Sequence, residues 1–571
     1  MIIRKAMTCE MNVSGEKSGN DMPPVSGLSE VNCAVAGNRQ KIALLIWALP
    51  LILALMAGLF TIDGHFIQDD YMAILHNRVV TQKSIPWTEP FEKDFWGRSI
   101  QKPVTTWRPL LPVIWRMVWS DLPHSPFPFR LLTALLNIVA TGMVLLLSYR
   151  LLGNRWIACA AAALFAVNPI HAEAMGEVVG QADILATVLG LLALYLALGH
   201  PRKSTPFLVA AILMAACLAK ESAVVFSALV TVVALMPEKV KFRKRLSISA
   251  GAALVTILTV FLQLSFKRVL PSPFDNIACI ANGSQKIIHA LYIIGRGMGM
   301  CFVPLGMSPY HDYAAIDLSP ATLLPYAIPG ALFLGLGILA FAISLKKRSA
   351  IGVIGVGLLL GPLVINSSLI ASIASELAER LLYPASAVAA AITAFAVYKA
   401  LGPRWRNVVF ALLILFFSVA SWSAQRPWRK NVDLYTYAVK VEPLSVRLNQ
   451  VAGFIALRHR DADTAAWRFM VITYILRKFP ERVDSSPIMA LKELPVGKRV
   501  IAGPSILAPQ DTCGFLADYF EFLDRKAPHF APLARKGLLK AYPACAGALS
   551  RKTPENKRFR QIMGIMPVVL H

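Results

Sequence analysis

Long apolar runs joined by short polar segments dominate residues 42–423. Windows rich in Leu, Ile, Val, Ala and Phe fall near 42–61, 131–149, 156–167, 184–199, 207–218, 223–236, 246–265, 323–345, 350–366, 383–398 and 407–423. About 20 apolar residues in a helix cross a hydrocarbon layer, and backbone polar groups in lipid are satisfied only within helices or closed barrels. The pattern therefore predicts an all-α polytopic membrane protein with about 11 transmembrane helices. Residues 286–305 are also apolar, but His289 and Arg296 interrupt them. They read as a helix lying on or dipping into the outer leaflet.

Charge orients these spans. Arg150, Arg155, Arg202, Lys203, Lys239, Lys241, Arg243, Lys244, Arg245, Lys346, Lys347, Arg348, Lys399, Arg404 and Arg406 fall in one set of short loops, whose one carboxylate is Glu238. Short loops rich in Lys and Arg are cytoplasmic. The opposite set gathers the carboxylates, among them Asp63, Asp69, Asp70, Glu173, Glu177, Asp183, Glu221, Asp275 and Glu379. An odd number of spans puts residues 1–41 inside, as a cytoplasmic tail with no cleavable signal, and the segment after Trp422 outside. Reporter fusions at Lys244 and Arg460 should therefore give opposite activities; the same sidedness at both points would overturn this topology.

Two outer loops are long, about 62–128 and 266–320, and the first carries Trp87, Trp96, Trp107, Trp115 and Trp119. Aromatic residues of this kind sit at headgroup level, so the working surface is expected outside. Residues 425–571 are polar, with 24 Lys/Arg against 12 Asp/Glu. They read as a small extracytoplasmic helical domain with a helix–turn–helix rhythm over 445–478, one tetratricopeptide-like hairpin. The membrane domain is then 42–424.

Composition narrows the function classes. The chain is 56% hydrophobic and 16% charged, with a formal net charge of +25. The basic residues lie in short loops and in the tail, a distribution that reflects topology and anionic headgroups and argues against nucleic acid as a partner. Eight cysteines give no CxxC and no metal spacing. Cys513 and Cys545 share the outer tail, where a disulfide is left open.

Chemistry concentrates in six clusters on the outer face: Asp69-Asp70, Asp94-Phe95-Trp96-Gly97, Trp107-Arg108-Pro109-Leu110, Asn168-Pro169-Ile170-His171-Ala172-Glu173, Lys220-Glu221 and Glu379-Arg380-Leu381-Leu382-Tyr383. Each alone can be a helix cap or a local ion pair. Six at one membrane face point to an outward cavity. A transporter or flippase for an anionic lipid or lipid-linked sugar is the alternative class, but it would place charges within spans and repeat one half in the other. A membrane-anchored scaffold accounts for the tail and leaves the acidic first loop unexplained.

These motifs carry a family resemblance. Asp-Asp after the first span, Lys-Asp-Phe-Trp-Gly (93–97), Trp-Arg-Pro-Leu (107–110), Pro-Ile-His-Ala-Glu-Ala (169–174), Gly-Gln-Ala-Asp-Ile-Leu (180–185), Lys-Glu (220–221), Asp-Tyr (312–313) and Glu-Arg-Leu-Leu-Tyr-Pro-Ala-Ser (379–386) are collinear over about 45–440. In this the chain resembles the transmembrane O-mannosyltransferases with tetratricopeptide repeats, of the GT-C class. Asn168 stands where that family usually has a histidine and Gln181 where it has an arginine, and the repeat array is reduced to one hairpin.

The resemblance implies a GT-C-like bundle and an inverting transfer of mannose or another hexose from a polyprenyl-phosphate donor to a hydroxyl on a protein, glycan or lipid acceptor. It implies Asp69 or Asp70 as the base, and Arg380 with Lys220 at the donor phosphate. Asp94, Arg108, His171, Glu173, Asp183, Glu221, Asp312 and Glu379 then line the sugar and acceptor pocket. The charges such a reaction needs, a carboxylate for the hydroxyl proton and a cation for the leaving phosphate, agree with this. A divalent cation, Mg or Mn, is compatible with so many carboxylates, but no ligand spacing requires one. The compact loops favour a bacterial inner membrane over the endoplasmic reticulum, with the site extracytoplasmic.

Overall fold

The computed structural model describes residues 47–101, 106–236, 242–265, 283–309, 311, 320–369, 377–443, 445–458 and 468. Asp312, the 1–41 tail, Cys513, Cys545 and the second half of the expected hairpin lie outside the described residues. Helices α1 (Trp47–Leu59), α2 (Leu110–Asp121), α3 (Pro126–Leu152), α4 (Arg155–Ala166), α5 (Pro169–Gly176) and α6 (Gln181–Ala197) open the chain. Then come α7 (Thr205–Ala219), α8 (Val224–Val233), α9 (Phe242–Ser265), α10 (Gly283–Phe302), α11 (Pro320–Lys346) and α12 (Ala350–Asn366). Helices α13 (Tyr383–Ala400), α14 (Pro403–Gln425), α15 (Asn431–Val441) and α16 (Val446–Arg458) follow. No strand forms among the described residues, beyond an isolated bridge between Lys93 and Ser99.

Every one of the eleven apolar windows falls on a helix, so this is an all-α polytopic membrane protein. Six helices are long and apolar enough to cross a membrane, and the pair α4–α5, bent by 45°, makes a seventh if read as one broken span. Helices α1, α7, α8 and α12 are shorter apolar helices. Exposed Leu254, Ile257, Phe261, Leu264, Leu332, Leu336, Leu412 and Leu415 cover the outer faces of α9, α11 and α14, as a lipid solvent requires and water would not.

Local chemistry sets the joints. Helix α3 stops at Gly153, whose φ of 65° is the left-handed cap that glycine adopts without strain. The next helix starts at once because the Asn154 side chain accepts a hydrogen bond from the Ile157 amide. The α4–α5 break has a comparable cause. Pro169 pushes Asn168 out of helical geometry, and the Asn168 side chain accepts from the Ile170 amide. The break turns Glu173 and Glu177 toward the loops at one end of the bundle.

Helix α10 runs antiparallel to α11, backbone against backbone. A Cβ placed on Gly330 would lie 2.0 Å from the Leu291 carbonyl oxygen, and one on Gly295 would lie 2.1 Å from that of Tyr326. Small residues allow this approach between membrane helices. The segment interrupted by His289 and Arg296 is thus held in the protein along one face, with His289, Tyr292, Ile293 and Ile294 buried. Gly330→Ala should lower the melting temperature in detergent, since neither backbone can yield cheaply, at a cost of about 1–3 kcal/mol. Unchanged melting of Gly330→Ala and Gly295→Ala would contradict this packing.

Candidate active site

The loop after α1 presents the acidic pair in a strained backbone. Gln68 has a φ of 45°, rare for a side chain of its kind, and its amide donates to Asn431 Oδ1 at 3.2 Å. Strain of this sort persists where the surroundings enforce it. Here the segment after α14 does so. The His65 amide donates to the Arg429 carbonyl at 2.8 Å, Arg429 pairs with Asp63, and buried Trp428 packs against Gly176. Residues 426–431, part of the compositional tail, therefore belong physically to the site.

The two aspartates differ. Asp70 is buried; its Oδ2 accepts from the Ile67 amide at 3.2 Å and its Oδ1 from the Val179 amide at 3.0 Å, joining the first loop to the start of α6. Burial pushes its carboxyl up to about 6, against the pull of Arg130 and of these amides. Asp69 is half-buried and within electrostatic reach of Glu177 and Arg380. Asp70 anchors the loop, and Asp69 is the carboxylate left available.

Arg380 faces this pair from the turn before α13. Its amide donates to Glu173 Oε2 at 2.9 Å, its Nη1 pairs with Glu173 Oε1, and the same Nη1 lies 3.8 Å from Glu177 Oε2. Nε and Nη2 carry no hydrogen bond among the described residues, and the side chain is 24% exposed. A guanidinium edge free to form two parallel bonds suits a phosphate. Alongside, Lys220 donates to Asp183 Oδ1 at 2.5 Å in a buried pair, and burial brings its ammonium down to about 8 although Asp183 opposes this. Arg108 grips Glu221 with both Nε (2.8 Å) and Nη2 (2.7 Å), its guanidinium lying over Phe95. Asp69, Asp70, Glu173, Asp183, Lys220, Glu221, Arg108 and Arg380 thus form one charged surface drawn from five separate parts of the chain.

The other expected residues lie around it. Asp94 shapes its own loop, accepting from the Trp96 and Arg98 amides at 3.0 and 2.8 Å, with Gly97 at a φ of 77°. Burial raises its carboxyl above the usual range. His171 packs in the core between Phe165 and Tyr383 and hydrogen-bonds Ser386 Oγ at 2.9 Å, apart from the charged surface. Glu379 turns the other way, accepting from the Ser308 amide (2.6 Å) and His311 Nε2 (2.8 Å). His311 Nδ1 meets Glu442 Oε1 at 3.1 Å, and Arg296 Nη2 also reaches Glu442, at 2.9 Å. Burial works against the imidazolium, but its bonds to Glu379 and Glu442 outweigh it and hold the His311 pKa above its ordinary value. Among the described residues, no three His, Cys, Asp or Glu side chains converge to hold a metal ion.

Sequence reading passed over Glu177, Arg130, His311, Arg296, Asn431 and Glu442 as site residues. Glu177 sits one helical turn past Glu173, which was the available signal. Arg130 is masked by its place at the edge of an apolar window, and Asn431 and Glu442 by the polar composition that assigned them to the tail.

No family profile matches the chain. A protein of Caenorhabditis elegans named protein O-mannosyl-transferase F38B6.6 is 24% identical over 450 residues, 73% of this chain and 61% of its own length. Protein O-mannosyl-transferase Tmtc2 of Drosophila melanogaster is 39% identical over 153 residues, 26% of this chain and 16% of its own length. Its human namesake is 33% identical over 150 residues, 26% of this chain and 18% of its own length. The chain is thus similar in sequence to proteins named as TMTC-type protein O-mannosyl-transferases. It spans less than two thirds of the length of these relatives.

The two departures from the TMTC-type motif have structural roles here. Asn168 caps the turn into α5. Gln181, buried, accepts from Trp115 Nε1 at 2.8 Å and donates to the Phe129 carbonyl at 2.7 Å and Thr133 Oγ1 at 2.9 Å, tying α6 to α2 and α3.

Proposed function

We propose that the chain is an integral-membrane, inverting glycosyltransferase that moves mannose or a related hexose from a polyprenyl-phosphate donor to a hydroxyl acceptor at the extracytoplasmic face. The observation that carries this reading is a half-buried Asp69 within electrostatic reach of an Arg380 whose guanidinium keeps an open edge. The names of the relatives supply the transferred sugar and favour a protein as acceptor.

In this reaction Asp69 takes the proton of the acceptor hydroxyl as the acceptor oxygen bonds to the anomeric carbon. The bond from that carbon to the phosphate oxygen breaks, and its electron pair leaves on the lipid phosphate. Arg380 holds the departing charge, and the Lys220 ammonium, neutralised in part by Asp183, adds to the positive field. A small pocket of about 20 Å³, lined among others by Asp183, Phe226, Leu358, Pro362, Leu381 and Pro384, adjoins the charged surface. The basic tail is left to contact headgroups or the acceptor.

The test is reconstitution of the full chain in liposomes with radiolabelled polyprenyl-phosphate mannose and an unfolded acceptor protein. Label should appear on the acceptor. Movement of intact donor between leaflets without any transfer would favour the flippase instead.

A further inference from the structure

Glu177 is a carboxylate that the mechanism above leaves unused. It joins α5 to the turn that starts α6 and is 1% exposed, and neither Oε1 nor Oε2 has a hydrogen-bond partner. Its nearest recorded cation, Arg380 Nη1, is 3.8 Å from Oε2, beyond hydrogen-bond reach. Glu173 holds the close contacts of that guanidinium. An ionised carboxylate buried without hydrogen bonds is costly, and the usual outcome is that it stays protonated.

The surrounding charges act in the same direction. Asp69 and Asp70 face it from the first loop, Glu173 from α5, Arg380 from the turn before α13 and Arg130 from α3. Burial first, then Asp69, push its pKa well above the ordinary carboxylate range, with Arg380 opposing.

We propose that Glu177 is a further catalytic residue, a neutral carboxylic acid beside Arg380 that gives its proton to the phosphate as it departs, an inference that rests on the glycosyl-transfer reading. Atoms and charges balance. The acceptor proton passes to Asp69 as the new glycosidic bond forms. The phosphate oxygen leaves the anomeric carbon with the bonding pair and takes the Glu177 proton, so the lipid phosphate departs singly protonated. The proton on Asp69 then moves to the neighbouring Glu177 carboxylate, and both groups return to their starting states. A resting neutral Glu177 also leaves Arg380 facing one close carboxylate instead of two, which preserves its attraction for an anionic donor.

The experiment measures transfer by the full chain in liposomes across pH, with polyprenyl-phosphate mannose as donor, for the unmodified protein, E177Q and E177D. Transfer by the unmodified protein should fall as pH rises through the raised Glu177 pKa, because the acid form is the active one. E177Q should lose roughly 100-fold in kcat with donor KM unchanged and should lack this alkaline limb, whereas E177D should recover part of the rate together with the limb. E177Q with unaltered kcat and an intact alkaline limb would overturn the proposal. If Asp69→Asn is inactive in that same assay, only the role of Glu177 has failed; if Asp69→Asn is fully active, the transfer reading itself has failed. Where E177Q does not fold, the infrared carbonyl band of a protonated carboxyl in the unmodified protein decides: a band that titrates with the alkaline limb supports the proposal, and none at neutral pH overturns it.

Discussion

Asp69→Asn should leave the protein folded and able to bind donor while transfer falls by about 10²–10⁴-fold, the range that general-base catalysis supplies. The amide keeps the size and most of the hydrogen bonding of the carboxylate but cannot accept the hydroxyl proton. Asp69 is half-buried and takes no part in fixing the loop, so melting temperature should stay within about 1 °C, as for a surface change of small energetic effect. Asp70→Asn provides the contrast. That side chain accepts from two backbone amides and faces buried Arg130, and an amide can neither accept at both atoms nor balance the guanidinium. Its activity should fall together with stability. Transfer rate and melting temperature measured on both variants separate the base from the anchor, and full transfer by Asp69→Asn would end the mechanism.

The distinction between the two aspartates was not legible in the sequence, although the pair itself was. Apolar period and loop charge are properties of single segments, so they located the helices under the eleven apolar windows but not α2 or α5, which carry no long apolar run. The six polar clusters were found because each is a short motif beside an apolar run. Which members face one another depends on pairings across more than 100 residues, such as Arg108 with Glu221 and Arg380 with Glu173, and no local pattern records these. The packing of His171 was equally illegible in the sequence. The residue belongs to a motif, yet an aromatic pair and a serine hold it in the core.

The boundary of the tail shows how composition can mislead at a joint. Residues past Trp422 turn polar because they leave the apolar layer, but leaving the layer does not mean leaving the domain. Trp428 and Leu434 are buried in the same cluster as Ile67 and Leu382, and Asn431 holds Gln68 in its left-handed conformation. Glu442 reaches Glu379 through His311. The residue that follows Glu379 is Arg380, so the tail contacts the loop that carries the proposed phosphate ligand.

Arg380→Lys should raise the KM for the polyprenyl-phosphate donor at least about 10-fold, because an ammonium keeps the charge and loses the planar pair of donors that a phosphate accepts. The geometry makes lysine more informative than alanine. Removing the cation altogether strands Glu173 without close positive charge, and an uncompensated buried charge costs about 3–5 kcal/mol, enough to unfold a membrane domain before any kinetics are measured. Lysine can still reach Glu173 and support the fold. The defect should therefore concentrate in donor KM, with a smaller fall in kcat from weaker stabilisation of the leaving phosphate, and acceptor KM should not change. Donor titration at saturating acceptor, with melting temperature as the control, checks this. Arg380→Lys with an unaltered donor KM would mean that the open guanidinium edge does not meet the phosphate, and the anion would then have to be held by Lys220 or Arg108 despite their close pairing with Asp183 and Glu221.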